Sequence, residues 1–503
     1  MSLAKVHSRA CIGVNAPLVQ IEVHLANGLP AFNVVGLPEA SVREARDRVR
    51  SALINSSFEF PAKRITVNLA PADLPKEGGR FDVAIAIGII VASGQIPVEQ
   101  LDDYELLGEL GLDGTIRGVN GVLPFTYAAF KEHKRVIVPT ENVQEARLVD
   151  GAEVLSARRL VDVFHHLIGQ KTLPIEPPIV IPQEVHYSFD MQDVVGQSAA
   201  KRALEIAAAG EHNMLMTGPP GTGKTMLANR LLSILPMMTD DEALETAAIY
   251  SVCGKPVDPQ NWRQRHFRSP HHTSSAVALV GGGSVPRPGE VSLAHNGVLF
   301  LDELAEFDRR VLDVLREPLE SGSVCISRAA RQAQFPARFQ LIAAMNPSPT
   351  GAIDDGRSTG DQILRYLNRI SGPFLDRIDL QIDVPKLPQG CFNEQVAERG
   401  ESSEQIRQRV ERARRMQLAR ANKTNAQLSN QELERYCPLL AEDQRFLQNA
   451  VEKLGLSIRS YHRIIKVART IADLDNHDNI QHQHLAQALS YRAFDRLLAQ
   501  MAG

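Results

Sequence analysis

The sequence has little of what would place it outside the cytosol. Five cysteines, Cys11, Cys253, Cys325, Cys391 and Cys437, are scattered through 503 residues with no C-x-x-C pair. This pattern excludes a disulfide scaffold and leaves the thiols as small buried hydrophobes in a reducing compartment. The apolar segment 83–92 is too short to cross a bilayer, and no signal peptide is expected from the pattern. A cytoplasmic protein with no membrane partner is expected. Aromatics make up 5% of the chain and include one tryptophan, so base stacking is a poor main mode of nucleic-acid binding. Neither sign of charge dominates, with 55 basic against 59 acidic side chains, so any polyanion site must be a local patch. The length corresponds to about three domains.

What is present is a complete phosphate loop, Gly218-Pro219-Pro220-Gly221-Thr222-Gly223-Lys224-Thr225. Met214-Leu215-Met216 precedes it as a buried strand, and a helical pattern runs from Met226 to Leu235, stopped by Pro236. A strand feeding a glycine loop into a helix start aims several backbone N–H groups at one spot, where the helix dipole also favours phosphate oxygens. ATP is the expected ligand. Lys224 is placed to reach its β/γ-phosphates, and the Thr225 hydroxyl to hold Mg²⁺. Val298-Leu299-Phe300-Leu301-Asp302-Glu303 reads as a second buried strand ending in two acids. Asp302 suits a Mg²⁺ contact and Glu303 polarisation of the attacking water. A third strand, 339–345, ends at Asn346, a polar group at the carboxyl edge facing the nucleotide crevice.

Two insertions interrupt this core. The first, 267–297, is dense in glycine and proline and reads as a loop or hairpin without a packed element. Its adjacent His271 and His272 lack a third ligand and read as hydrogen-bonding loop residues, not a metal site. Arg287 is a candidate DNA contact within it. The second, 322–337, reads as a hairpin whose tip carries Arg328 and Arg331. Cationic tips can grip phosphates without reading sequence, and a solvated turn is the equal alternative.

Residues 1–165 read as a separate α/β region with strands at 19–23, 64–69 and 135–139 and a core helix over 81–91. A charged helix is expected over 41–51, burying Val42, Ala45 and Val49, its Arg43, Arg46, Arg48 and Arg50 forming a solvated face. Residues 166–187 hold four prolines and mark a linker. The ATPase core spans 188–387. From 388 to 503 the pattern is helical. There the arginine-rich stretch 404–423 is expected to be a solvated helix face, with a DNA-facing face as the alternative. Ile458, Tyr461, Ile464, Ile465, Ala468 and Ile471 form an apolar stripe.

The amino-terminal region resembles the ribosomal-S5-like fold of the Lon protease domain through Leu74-Pro75-Lys76-Glu77-Gly78-Gly79, Gly111-Leu112-Asp113-Gly114 and Gly121-Val122-Leu123. Arg80 and Phe81 stand near that family's nucleophilic serine position and Leu123 at its lysine position, so no Ser-Lys dyad exists and peptidase chemistry is not expected. Asp193-Val194-Val195-Gly196-Gln197 resembles the adenine-side element of AAA+ ATPases, which places Val195 and Gly196 at the nucleotide. By the same resemblance Asn346 senses the γ-phosphate, and Arg377 of Leu375-Asp376-Arg377 is the finger lent to the next subunit of a ring. Ser457-Ile458-Arg459 matches the second sensor, Arg459 touching the γ-phosphate, with Arg463 one turn along the same face as the alternative. The phrases 288–297, 315–320 and 369–379 complete a likeness to magnesium-chelatase-like AAA+ proteins, and with the Lon-like region, to the YifB/ComM competence helicase family. Many relatives carry a cysteine cluster after the sensor asparagine, whereas Asn346-Pro347-Ser348-Pro349 has none, so no zinc is expected there. The resemblance implies an αβα ATPase core with a helical lid, assembled as a hexameric ring that drives branch migration of DNA. A chelatase-type remodeller of a protein partner and an ATP-dependent protease relative are the alternatives.

Overall fold

The computed structural model describes residues 3–36, 44–95, 101–182, 184–283, 286–328, 331–353, 357–387 and 400–502. The chain forms two compact units. One comprises residues 1–183, 240–262 and 327–335, the other 184–239, 263–326 and 336–503. Residues 240–262 and 327–335, which fall within the expected ATPase stretch, thus group with the amino-terminal residues.

The first unit is built on a seven-stranded mixed sheet in the order Ala31–Val35, Arg64–Ala70, Leu18–Ala26, Leu3–Arg9, Tyr104–Leu106, Arg135–Pro139, Val154–Ala157. The pairing of Leu18–Ala26 with Arg64–Ala70 follows alternation: Val19, Ile21, Val23 and Leu25 are buried, as are Ile65, Val67 and Leu69 on the antiparallel neighbour. Helix Asp82–Ala92, apolar all round, lies against these strands, and a Cβ on its Gly88 would come 2.6 Å from Val23 Cγ2. That close approach is why a glycine interrupts the apolar run. The charged helix spans Ala45–Asn55 and buries Ala45, Val49, Ala52 and Leu53; residues 41–43, Val42 and Arg43 among them, lie outside the described residues. Its Arg48 donates to the buried Asp82 at 2.7 Å, and Arg46 is bonded to Asp47. Burial still outweighs Arg48 and pushes the Asp82 carboxyl up to about 6. At the start of helix Val122–Lys131, Ser251 of helix Asp240–Val252 accepts from Gly121 N at 3.0 Å and from Leu123 N at 3.3 Å.

The second unit holds a five-stranded, all-parallel sheet in the order Phe267–Arg268, Val298–Leu301, Gln340–Met345, Met214–Thr217, Leu380–Asp383. The middle three strands are buried on both faces, as continuous apolar runs in a parallel sheet must be. Helices Ser198–Gly210, Lys224–Ile234, Ser403–Ala421 and Ile458–Leu474 pack into one core with it. Two expectations change. Insertion 267–297 contains packed elements: its first two residues are the edge strand, and Ser275 caps helix Ala276–Val280 by accepting from Ala278 N at 3.2 Å. The glycines and prolines stand outside that apolar pentapeptide, so they bound it without breaking it. In the last-helix stripe, Ile464, Ile465, Ala468 and Ile471 are buried but Ile458, at the first helical position, is 77% exposed.

Of the arginines of 404–423, Arg412 and Arg415 are exposed, as expected of a solvated face, but three others are drawn into ion pairs with other elements. Arg409 bonds Glu205 at 2.5 Å and Glu401 at 2.7 Å, Arg414 bonds Glu211 at 2.5 Å and the Ala208 carbonyl at 2.7 Å, and Arg420 pairs with the buried Asp473. Among the described residues no helix is long and apolar enough to cross a membrane.

Asp379, fully buried, ties this lid to the sheet: it accepts from Asn213 N at 2.9 Å and from Arg463 Nη1 at 2.5 Å. Desolvation alone would raise its pKa, but Arg463 and then His212 outweigh it and hold the carboxyl well below the usual range. A carboxylate held low stabilises the fold fully above its unfolded pKa of about 4, and that contribution is lost as pH falls through the lower folded value. Asp379→Asn is therefore expected to cost about 3 kcal/mol at pH 7 by stranding Arg463. Chemical denaturation of both proteins checks this, and the gap between them should narrow on acidification below about pH 4.

Candidate nucleotide site

The phosphate loop leaves the carboxyl end of the central strand Met214–Thr217 and enters helix Lys224–Ile234. Gly221 and Gly223 have φ of +78° and +87°, in the left-handed region that glycine enters without strain. Gly218 is required for a different reason: a Cβ there would lie 2.3 Å from the Val384 carbonyl oxygen. Thr222 Oγ1 donates to Pro219 O at 3.0 Å and fixes the loop from within. Lys224 is folded back, its Nζ 2.7 Å from Gly218 O, 3.0 Å from Pro219 O and 3.3 Å from Asn346 Oδ1. Burial lowers its pKa, and Asp302 works in the opposite sense.

Three neighbouring strands end beside this loop. Thr225 Oγ1 donates to Asp302 Oδ2 at 2.7 Å, and Asp302 Oδ1 accepts from Glu303 N at 2.9 Å. A hydroxyl beside a carboxylate is an all-oxygen set that fits a small hard cation, so Thr225 and Asp302 are the residues that would hold Mg²⁺. Glu303 has φ of +53° and an exposed side chain. Asn346, at the end of its strand, contacts the folded-back Lys224. On the far side of the loop Val195 and Gly196 lead into Gln197, whose amide donates to Pro385 O at 2.9 Å and lies 3.5 Å from Thr222 O. The structure therefore brings together Gly218, Pro219, Pro220, Gly221, Thr222, Gly223, Lys224, Thr225, Asp302, Glu303, Asn346 and the Val195-Gly196 turn.

It does not bring Arg377 and Arg459 there. Arg377 is buried at the opposite end of the central strand, where its carbonyl accepts from Asn213 Nδ2 at 3.0 Å. Its guanidinium bonds Pro373 O at 2.5 Å, Arg316 O at 3.2 Å and Glu320 Oε1 at 2.5 Å. Burial lowers its pKa, Glu320 opposes this, and the nearby charges of Arg316, Arg459 and Arg463 lower it further. Arg459 is exposed, and the preceding Ser457 Oγ donates to Asp376 Oδ1 at 2.9 Å. Arg463 is taken up by Asp379. The contact expected between Arg459 and the phosphate is thus not available within one chain, because Asp376 anchors the helix start at the amino edge of the sheet.

Of the expected DNA contacts, Arg287 is exposed in the short pairing Arg287–Pro288 with Gly281–Gly282. Strands Ser323–Arg328 and Arg331–Pro336 form the second hairpin; residues 329 and 330 and the side chains of Arg328 and Arg331 lie outside the described residues. One His/Asp cluster, Asp475, His477 and His484, has atoms within 4.8 Å of one another. It does not fit a metal: His484 Nδ1 accepts from Gln481 N at 3.0 Å, which puts the ring proton on the Nε2 that would have to ligate.

Sequence comparison agrees with this architecture. The family described as magnesium chelatase, subunit ChlI, matches residues 190–391; two further models, for subunit ChlI and its carboxyl-terminal part, match residues 21–142 and 400–492. The chain is 57% identical to "Competence protein ComM" of Haemophilus influenzae over 100% of both chains. It is 53% identical to "Uncharacterized protein YifB" of Escherichia coli, covering 99% of this chain and 98% of that one. Likeness to the "Magnesium-chelatase 38 kDa subunit" of Cereibacter sphaeroides is lower, 25% over 32% of this chain and 53% of the other.

The tight seat of Gly218 gives a direct check. Gly218→Ala is expected to displace the Val384 carbonyl and weaken ATP binding at least about tenfold, an overpacking cost of 1–3 kcal/mol felt at the loop itself. Isothermal titration with a non-hydrolysed ATP analogue measures it.

Proposed function

The chain belongs to the magnesium-chelatase-like family that includes the ComM and YifB proteins, and from that membership we propose that it is an ATP-driven motor acting on DNA. The observation that carries the reading is the division of the ATPase set between two edges of one sheet. Lys224, Thr225, Asp302, Glu303 and Asn346 stand at the carboxyl edge, Arg377 and Arg459 at the amino edge. A site so divided is completed only when a second copy presents its amino edge to the first copy's nucleotide, and repetition of that contact closes a ring.

In this reading Lys224 leaves the Gly218 and Pro219 carbonyls to bind the β/γ-phosphates, and Asn346, released from Lys224, orients the attacking water. Glu303 accepts the water's proton. Arg377 of the next subunit leaves Glu320 and stabilises charge on the transferring phosphoryl group, with Arg459 acting from the same side. Mg²⁺, held by Thr225 and Asp302, neutralises charge on the phosphate oxygens when bound. DNA as the polymer moved is supported by the arginines of the two insertions, Arg287, Arg328 and Arg331, and by the competence role that the name of the Haemophilus relative states. Branch migration by a hexamer is the form of this activity that the family resemblance implies. A chelatase-type partner role has less support, since identity to the chelatase 38 kDa subunit is 25% against 57% to the competence protein. A protease role has least. The place of the Lon lysine is Leu123, and its backbone N–H is bonded to Ser251 and to Glu145.

Mixing experiments test the shared site. Lys224→Ala and Arg377→Ala are each expected to abolish turnover alone, and an equimolar mixture to regain part of it at seams that pair an intact Lys224 with an intact Arg377. No recovery in mixed assemblies of confirmed size would refute the reading. For the polymer, Arg328→Ala with Arg331→Ala should weaken single-stranded DNA binding and flatten the log Kd against log salt slope by about 1.4. Fluorescence anisotropy across a salt series reads both.

A further inference from the structure

Arg80 stands between the 71–79 turn and helix Asp82–Ala92, with its backbone fixed there by a carbonyl that accepts from Gly108 N at 3.1 Å. Its side chain is 7% exposed. One hydrogen bond holds its tip: Nη2 donates to Asn120 O at 3.0 Å. Nε is buried without a partner, and no acid among the described residues pairs with the guanidinium. Other arginines of this unit are not left so. Arg9, equally buried, bonds both carboxylate oxygens of Glu105 at 2.6 Å, and Arg48 is met by Asp82 at 2.7 Å.

A guanidinium keeps its proton in a protein, so Arg80 cannot relieve its burial by neutralising as a lysine would. A buried cation without a counter-ion is among the costlier groups a fold can hold. Its surroundings add to that cost. Asn120, which takes the Nη2 bond, precedes Gly121, the cap of the ten-residue helix Val122–Lys131. The positive end of that helix dipole therefore lies beside the guanidinium. The nearby acids are engaged elsewhere: Glu141 accepts from Gly118 N at 2.8 Å, Glu145 from Leu123 N at 3.2 Å, and Asp82 from Arg48. Burial raises the pKa of both Asp82 and Glu145, so negative charge is harder to hold on either.

A helix start and an unpaired buried cation thus converge on one place. A Cβ on Gly121 would lie 3.0 Å from Cys11 Sγ and 3.6 Å from Arg80 Nη2, so thiol and guanidinium flank one point beside a residue with no side chain. Cys11 is half-buried and Asn120 exposed, which opens that point to solvent.

We propose that Arg80 and the start of helix Val122–Lys131 form a binding site for a carboxylate, independent of the motor reading. Charge decides between carboxylate and phosphate. One guanidinium balances one negative charge, and a dianion would leave its second charge among acids already pushed toward their neutral forms. The N–H groups of Gly121 and Leu123 are taken by Ser251, so the donors come from Arg80, whose planar fork matches the two oxygens of a carboxylate. That carboxylate is carried by a small free acid or by the end of a peptide chain.

Cys11 reports whether the site is filled. Iodoacetate and iodoacetamide alkylate a thiolate by the same displacement, the sulfur–carbon bond forming as iodide leaves, and only the first carries a carboxylate. In the full-length protein, with labelling followed by peptide mass spectrometry, the exposed Cys325 is the reference. The ratio of iodoacetate to iodoacetamide rates at Cys11 is expected to exceed that at Cys325 at least about tenfold, the scale of one charge-assisted bond. Arg80→Gln should bring the two ratios within about twofold of each other. A wild-type ratio no higher at Cys11 than at Cys325, or a preference that survives Arg80→Gln, overturns the proposal. Competition on the wild type decides it however the variant folds. At constant ionic strength, acetate or trialanine should slow the labelling of Cys11 by iodoacetamide and trialanine amide should not, the stronger protector identifying the source of the carboxylate. No protection, equal protection by the amide, or stronger protection by inorganic phosphate overturns the carboxylate assignment.

Discussion

The strand Met214–Thr217 separates the two halves of the chemistry. It is four residues long, which at about 3.3 Å per residue puts roughly 13 Å of rigid backbone between its ends. The phosphate loop leaves one end; Asn213, bonded to the Arg377 carbonyl and to Asp379, begins at the other. Buried on both faces, the strand has no freedom to shorten that distance. Arg377 and the phosphate loop of one chain are thereby kept apart. The same strand keeps four like-charged side chains, Arg316, Arg377, Arg459 and Arg463, clear of Lys224, whose pKa burial already depresses.

The lid is bound to the amino edge as firmly as Arg377 is. Ser457 and Arg463, one and a half turns apart on the same helix, bond Asp376 and Asp379 on either side of Arg377. Further along the lid, Arg409 and Arg414 reach Glu205 and Glu211 of helix Ser198–Gly210 and the residue that ends it. Charges so far removed from water contribute little net stability, but each fixes one geometry, because losing either partner strands the other. A lid set in this way does not hinge freely over its own nucleotide. It is tied instead to the edge that carries the arginines.

The sequence made the carboxyl edge legible because its chemistry is local. Gly218 to Thr225, Asp302 with Glu303, and Asn346 each sit at the end of an apolar run, and in a parallel sheet the ends of adjacent runs meet without further information. The amino edge was harder. Arg459 is the second residue of a helix whose pattern is plain, yet which end of the sheet that helix start meets depends on Asp376 and Ser457, 81 residues apart. Arg409 and Arg414 were misjudged for the same reason: their partners Glu205 and Glu211 lie about 200 positions away, and no short-range pattern distinguishes a paired arginine from a solvated one such as Arg412 or Arg415. His272 was read as a loop residue because its partner, Glu303 at 3.3 Å, is set by strand order, not by spacing. The one signal available was its place four residues beyond Arg268 of the pair Phe267–Arg268, which could have been taken as an edge strand.

Residues 240–262 raise a related point about how the first unit is built. Helix Val122–Lys131 begins at Gly121, with φ of +73° and no side-chain cap, so its first N–H groups need acceptors from elsewhere. They find them in Ser251, whose carbonyl and hydroxyl accept from Gly121 and Leu123, with Glu145 sharing the Leu123 N–H at 3.2 Å. Burial raises the Glu145 pKa, while hydrogen bonds from Ser251 and Leu123 oppose it. In a Lon-type peptidase the corresponding turn supplies an amine to a nucleophile. Here its polar groups are spent on a helix contributed by a later part of the chain, whose departing and returning ends are joined by Met238 N to Arg263 O at 3.0 Å. The N–H donors at this turn are thus satisfied from within the same compact unit.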